Sequence, residues 1–202
     1  MARRPSQKQV KAVYTLVTAR TWTARIGALA ILIGAGYSWY ANPPFKPART
    51  GSPPKGSVQG TVTAVSDGDT VTVVDGDQQY KVRLAFIDAP EKAQPFGPRA
   101  RQQLADRVLK QRVEVEVIDT DRYGRTVGRV RMEGADINYE QVAKGLAWHY
   151  TQFAKGKQSG DDFGRYEDAM DKAKHQRAGL WSDPGPTAPW DYRRSQKEAR
   201  GG

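Results

Sequence analysis

The chain of 202 residues contains no cysteine. Disulfide bonds and thiolate metal sites are therefore excluded, while an oxidising compartment remains allowed. Histidine is also scarce, since His149 and His175 are the only two. They are far apart in sequence and lack a third candidate ligand nearby, so we expect them to have packing or surface roles rather than to bind a metal ion.

Acidic residues are missing from the first part of the chain. Residues 1–56 hold nine Lys or Arg and no Asp or Glu, whereas residues 57–202 hold 23 basic and 22 acidic residues. The formal net charge of +10 is therefore a property of the N-terminal arm. Any nucleic-acid interface in the remainder must depend on where individual arginines lie, and not on the overall charge.

A hydrophobic segment follows the basic arm of residues 1–25. Residues 26–41 are uncharged, although 16 residues are fewer than the roughly 20 that span a bilayer. The pattern predicts a membrane anchor with the following domain on the extracytoplasmic side, because the basic flank stays inside. Two alternatives are a cleaved signal peptide, which would leave a secreted domain, and a buried core helix.

Two further segments are predicted to lie outside the folded domain. Residues 42–56 contain five prolines and no periodicity, which favours a stiff, solvated linker. Residues 182–202 are rich in Pro and Gly and then charged, so we expect most of this tail to be disordered. The domain itself is therefore predicted to cover residues 57–181.

The domain shows short β-prone runs separated by Asp/Gly turns, followed and interrupted by helical stretches. The strands are predicted at residues 58–65, 71–74, 80–87, 113–118 and 127–132. The helices are predicted at residues 98–110, 137–144 and 166–176, with Asp136 as the N-cap of the second. The fold class is therefore α+β and mainly β: a five-stranded barrel with three helices, preceded by the hydrophobic segment.

Three polar clusters lie at predicted strand ends or turns. They are Asp-Gly-Asp-Thr at residues 67–70, Arg-Leu-Ala-Phe-Ile-Asp-Ala-Pro-Glu at residues 83–91, and Asp-Arg-Tyr-Gly-Arg at residues 121–125. Each cluster alone is more often an ordinary turn, a salt bridge or a solvated loop. Their joint occurrence favours a functional site.

The residue types in these clusters suit phosphodiester hydrolysis. Carboxylates from neighbouring strand ends, here Asp69 and Asp88, can bind a hard cation such as Ca²⁺. Two guanidinium groups, those of Arg83 and Arg125, can stabilise the more highly charged transition state. Glu91 can orient or deprotonate the attacking water.

The order, spelling and spacing of the three clusters resemble the staphylococcal-nuclease family over about residues 57–181. The resemblance includes Lys-Gly-Leu-Ala at residues 144–147 and Gly-Leu-Trp at residues 179–181. It implies an OB-type barrel and a calcium ion. The site residues that it implies are Asp69 and Asp88 as calcium ligands with the main-chain carbonyl of Ala89, Asp67 as a nearby acidic support, Arg83 and Arg125 at the scissile phosphate, Glu91 as general base, and Tyr123 beside the nucleotide.

The sequence departs from the family prototype in two places. Ala89 stands where the prototype has Thr, which leaves a backbone ligand possible but removes any hydroxyl contact. Residues 92–97 form a shorter stretch than the prototype's flexible loop. These departures leave the substrate preference open and spare the proposed catalytic set.

The resemblance implies a calcium-dependent endonuclease that hydrolyses DNA or RNA, leaves 3′-phosphate products and acts as a monomeric domain. A first alternative is a non-catalytic OB-fold module that binds nucleic acid or protein at a membrane. A second is a membrane-bound processing or transfer accessory. The acidic residues favour the enzyme, because carboxylates repel a phosphate backbone unless a cation lies between them.

Overall fold

The computed structural model describes residues 7–18, 22–41, 49–51 and 56–201. The chain divides into two compact units, Met1–Pro47 and Ala48–Gly202. The second unit contains all three polar clusters identified in the sequence.

The N-terminal unit contains two helices that contact each other, α1 (Gln7–Thr18) and α2 (Trp22–Ala41). The membrane segment predicted for residues 26–41 is not supported. Within the described ranges, no helix combines the length and apolar character needed to cross a bilayer. The alternative of a signal peptide and the cellular location of the protein remain predictions.

The described residues of the second unit form nine strands. They are β1 (Arg49–Thr50), β2 (Ser57–Asp67), β3 (Thr70–Asp75), β4 (Gln78–Leu84), β5 (Ile87–Asp88), β6 (Arg112–Thr120), β7 (Thr126–Met132), β8 (Ala135–Asp136) and β9 (Trp148–His149). Strands β4, β3, β2, β6 and β7 are antiparallel neighbours in that order, and β4 closes the sheet by pairing parallel with β7. The result is the predicted five-stranded barrel with an α+β, OB-like fold.

The barrel core consists mainly of β-branched side chains that alternate along the strands. Val62, Val73 and Val130 are completely buried, and their strand neighbours on the outer face are more exposed or polar. This period of two is what half-buried strands show, and it explains why all five strands could be located from sequence. One of the predicted Asp/Gly turns, at residues 75–77, joins β3 and β4 as an antiparallel hairpin.

The third predicted strand covers what are two separate strands in the structure. Residues 80–87 were predicted as a single strand, but β4 ends at Leu84 and a turn intervenes before β5. Phe86 has a φ of 68° in this turn, a conformation that bulky residues rarely adopt, and its carbonyl accepts a hydrogen bond from the Tyr150 amide. As a result β5 leaves the barrel sheet and pairs with β9 instead.

The helices are α3 (Gly97–Val108), α4 (Ile137–Ala143), α5 (Thr151–Ala154), α6 (Gly160–His175) and α7 (Pro189–Gly201), with a 3-10 turn at Gly179–Ser182. Asp136 caps α4 as predicted, since its side chain accepts a hydrogen bond from the Tyr139 amide. Helix α6 begins well before the predicted residue 166, because Ser159 caps a first turn that is acidic and not apolar.

Both segments that were predicted to lie outside the domain contribute to it. In the linker of residues 42–56, β1 pairs parallel with β4, while residues 42–48 and 52–55 lie outside the described residues. In the tail of residues 182–202, the disorder prediction is wrong for α7. Pro189 begins this helix, where the missing amide costs no hydrogen bond, and its side chain is buried.

Helix α4 is tied to the barrel by a fully buried amide side chain. Asn138 donates to the carbonyl oxygens of Ala85 (2.9 Å) and Gly128 (3.1 Å), and accepts from the amide of Val130 (3.0 Å). Because Ala85 lies in the turn between β4 and β5, this network fixes the point at which the chain leaves the barrel towards Asp88.

Replacing Asn138 by Ala should lower the free energy of unfolding by about 2 kcal/mol or more, because three buried backbone groups lose a hydrogen-bond partner. Urea denaturation followed by circular dichroism measures this change. Gln102→Ala on the exposed face of α3 is the control, and it should change stability by no more than about 0.5 kcal/mol. Equal stability of the two variants would contradict the role assigned to Asn138.

Candidate active site

A cavity of about 520 Å³ opens at one end of the barrel, where all three polar clusters meet. The predicted site residues that line it are Asp67, Asp69, Arg83, Ala89, Glu91, Tyr123 and Arg125. Strand pairing explains their proximity: Thr70 at the start of β3 lies opposite Arg83 near the end of β4. Asp88 is the remaining predicted site residue. Its side chain is almost fully buried and is not among the groups that line the cavity.

The first cluster is held in a tight turn between β2 and β3. A side chain at Gly68 would place its Cβ 2.7 Å from the Cβ atoms of both Ala89 and Ala100, so only glycine fits. Buried Gln141 on α4 donates to the Gly68 carbonyl oxygen at 2.8 Å. Glycine at this position is therefore required by the packing of the turn against Ala89 and against Ala100 on α3.

Asp69 is a buried carboxylate with three donors around it. Its Oδ1 accepts from the Thr70 hydroxyl (3.0 Å), and its Oδ2 accepts from the Ala89 amide (3.1 Å) and lies 3.2 Å from an Arg83 guanidinium nitrogen. Burial raises the pKa of Asp69 to about 6, with Arg83 opposing this effect and nearby Asp67 adding to it. The group is therefore a carboxylate for which a further cation would be favourable.

Asp88 shares the same guanidinium group. Its Oδ1 lies 2.6 Å from an Arg83 nitrogen, and Arg193 of α7 approaches both carboxylate oxygens, at 2.7 and 3.2 Å. Burial raises the pKa of Asp88, the hydrogen bonds from Arg193 lower it, and the negative charge of Asp69 raises it further. The two buried carboxylates are thus joined by one arginine and covered by a second.

Glu91 stands at the cavity mouth on a short, well-anchored loop. Its amide donates to the side chain of buried Gln94 at 2.8 Å, and Gln94 in turn donates to the Thr187 carbonyl oxygen at 3.1 Å. The Glu91 carboxylate accepts a hydrogen bond from Arg193 at 2.8 Å. Gln94 thus holds residues 92–97, the stretch predicted to be short, against the C-terminal segment.

Arg125 faces the cavity from the third cluster and is held by Asp121. The Asp121 carboxylate accepts hydrogen bonds from the Arg125 side chain (2.6 Å) and amide (2.9 Å) and from the Tyr123 amide (2.9 Å). Burial tends to raise the pKa of Asp121, but these hydrogen bonds outweigh it and the pKa is lowered. Tyr123 is exposed, and its ring lies beneath the Arg122 and Arg125 guanidinium groups.

Several residues of the site were not predicted from sequence. Arg193 lies in a tail that composition marked as disordered, and no sequence signal placed it in the cavity. Gln94 and Gln141 support Glu91 and the first turn from buried positions. A signal for Gln141 and Asn138 was available in the sequence, since both amides lie on the face of α4 that is otherwise apolar and buried.

The donor set suits a hard cation. Asp69 and Asp88 offer buried carboxylate oxygens, and among the described residues no sulfur or imidazole ligand lines the cavity, which fits oxygen-preferring ions. Over residues 7–18, 22–41, 49–51 and 56–201, no group of three or more acidic or histidine side chains is arranged to enclose a metal ion. A cation here would take its remaining ligands from backbone carbonyls, water or substrate. For Ala89, the structure gives a contact through the amide, while the role of its carbonyl remains a prediction.

Comparison with known proteins places the chain among nucleases. The family model described as "Staphylococcal nuclease homologue" matches residues 81–183. A micrococcal nuclease of Shigella flexneri is 43% identical over 150 residues, which is 70% of this chain and 83% of that protein. An uncharacterized endonuclease of Haemophilus influenzae is 40% identical over 137 residues, 67% of this chain and 73% of that protein.

The similarity to another relative extends over more of the chain. A protein of Escherichia coli named ParB is 42% identical over 182 residues, which is 86% of this chain and 91% of that protein. Together with the five-stranded barrel and the three clusters at its open end, these matches show that the chain belongs to the staphylococcal-nuclease family.

Proposed function

We propose that this protein is a calcium-dependent nuclease that hydrolyses phosphodiester bonds of DNA or RNA. The observation that carries the proposal is the pair of buried carboxylates, Asp69 and Asp88, bridged by Arg83 in a cavity that Arg125 and Glu91 also line. Nuclease relatives support the reaction class. The choice of calcium rests on the oxygen donor set and on the family resemblance.

The residues divide the chemistry between them. Asp69 and Asp88 would hold the cation, which when bound supplies positive charge next to the reacting phosphate. Arg83 and Arg125 bind the phosphate oxygens and stabilise the charge that develops in the transition state. Glu91 takes a proton from water, the water oxygen bonds to phosphorus, and the bond from phosphorus to the 5′-oxygen breaks. The 5′-oxygen leaves with the bonding electron pair and takes a proton from solvent water. The products carry a 3′-phosphate and a 5′-hydroxyl group.

The alternative of a non-catalytic binding module fits the site less well. A phosphate-binding module has no use for two buried carboxylates and a third at the cavity mouth, because each repels the backbone of the ligand. These carboxylates are costly to bury, and Asp88 needs two arginines around it. Such an arrangement is expected where a charge must be placed accurately, as in a catalytic site.

Calcium binding should depend on the two buried carboxylates. Asp69→Asn and Asp88→Asn should each weaken calcium binding at least tenfold in isothermal titration calorimetry and abolish cleavage of a labelled oligonucleotide. Asp106→Asn on the exposed face of α3 is the control and should bind calcium like the unchanged protein. Full activity in excess chelator would overturn the cation requirement.

Arg83→Lys, Arg125→Lys and Glu91→Gln should each lower kcat by about 10²-fold or more. Lysine keeps the charge but loses the planar fork that grips two phosphate oxygens, and glutamine removes the basic oxygen. Thermal unfolding should change little for Arg125→Lys and Glu91→Gln, and more for Arg83→Lys, because Arg83 neutralises two buried acids.

The control for this series is Arg112→Lys at an exposed position of β6, with cleavage rate and unfolding measured on the same preparations. If all three site variants cleaved as fast as this control, the binding-module alternative would be favoured over the enzyme.

We also propose that residues 48–202 carry the whole activity, because they form one compact unit that contains every site residue. Removal of residues 1–47 should leave kcat and KM on a short oligonucleotide within about twofold of the full chain. A truncated protein that is folded by circular dichroism but inactive would show that this boundary is wrong.

A further inference from the structure

A second groove of about 780 Å³ adjoins the active-site cavity, between α7 and the loop after Glu91. The two share Asp67, Glu91 and Arg193, so the groove begins where the proposed chemistry takes place. Its remaining charged lining is basic and consists of Lys92, Lys197 and Arg200. We call this feature the α7 groove.

The basic residues of the groove share one face of α7. Arg193, Lys197 and Arg200 follow each other at the four- and three-residue spacings that bring side chains onto one side of a helix. Arg194 lies off this face and pairs with Asp191 at 2.9 Å. The helix therefore presents a row of positive charges to the groove and a mixed surface elsewhere.

Helix α7 is fixed against the domain. The Trp190 ring stacks on Tyr150 with centroids 5.4 Å apart and meets Trp148 edge-on at 6.3 Å. Pro189 is buried, and the Thr187 carbonyl just before the helix accepts a hydrogen bond from Gln94. The row of charges is thus held at a defined place beside the cavity.

The charges along the groove are available to a ligand. Arg193 is paired with Asp88 and Glu91, whereas Lys92, Lys197 and Arg200 make no ion pair within the described part of the chain and are exposed. The helix rises about 10 Å between residues 193 and 200. The charged row on α7 therefore extends well beyond the cavity mouth.

We propose that the α7 groove binds the sugar-phosphate backbone of the nucleic-acid strand on one side of the scissile bond, with Lys92, Lys197 and Arg200 contacting successive phosphates. This inference rests on the proposed nuclease function and names where its substrate lies. Lys197 and Arg200 on α7 lie outside residues 81–183, which are the residues that the family model matches.

The test measures binding apart from cleavage. The full-length protein, in chelator, is titrated into a fluorescein-labelled 16-nucleotide single-stranded DNA at several salt concentrations, and fluorescence anisotropy gives Kd. The double variant Lys197→Gln, Arg200→Gln removes two charges from the groove. The double variant Arg194→Gln, Lys172→Gln removes two exposed charges outside it and is the matched control.

The groove variant should bind at least tenfold more weakly than the control. The slope of its plot of log Kd against log salt should be smaller than that of the unchanged protein by about 1.4, because each phosphate contact on a single strand contributes about 0.7. The control should keep the slope of the unchanged protein. Circular dichroism on both variants shows that α7 and the barrel remain folded.

Equal loss of affinity in the two double variants would overturn the groove, because the effect would then be one of overall charge. Tighter binding by the groove variant would also overturn it, and would show that α7 covers the cavity instead of extending it. Failure of the nuclease proposal looks different: the unchanged protein would bind DNA with the groove signature yet cleave no nucleic acid with calcium present.

Discussion

The whole site depends on two carboxylates that are buried side by side. Asp69 and Asp88 carry like charges in a buried place, and the fold tolerates them because the Arg83 guanidinium lies between them and Arg193 covers Asp88. The surrounding turns and buried side chains hold the two carboxylates in place. The turn after β2 presents Asp69, the backbone turn at Phe86 turns the chain towards Asp88, and buried amides on α4 hold both turns in place.

The barrel and the three clusters could be predicted from sequence because both are local signals. Alternating valines mark the strands, and turn residues such as Gly68 are required at fixed positions next to the site residues. Long-range partners could not be predicted. Arg193 reaches Asp88 from more than a hundred residues away, and nothing near it in the sequence marks it as a site residue. The end of β4 was missed because the turn at Phe86 breaks no sequence pattern.

Helix α7 changes how the cavity should be understood. The tail looked disordered because proline, glycine and charge dominate its composition, yet Trp190 stacks on Tyr150 and Pro189 is buried, and these contacts help to dock it. Once docked, it places Arg193 over both Asp88 and Glu91 and continues away from them as a basic face. The same helix neutralises the acidic residues and, in the role we propose for the α7 groove, also guides a polyanion towards them, which global charge counting could not reveal.

The most direct measurement is a crystal structure of the protein with calcium and a nucleoside 3′,5′-bisphosphate. We expect a cation about 2.3–2.6 Å from carboxylate oxygens of both Asp69 and Asp88. We also expect a phosphate group between Arg83 and Arg125, and an Arg193 guanidinium that has moved from Asp88. A structure in which Arg193 keeps its contacts with Asp88 and Glu91, with no cation at the two carboxylates at saturating calcium, would contradict the proposed site.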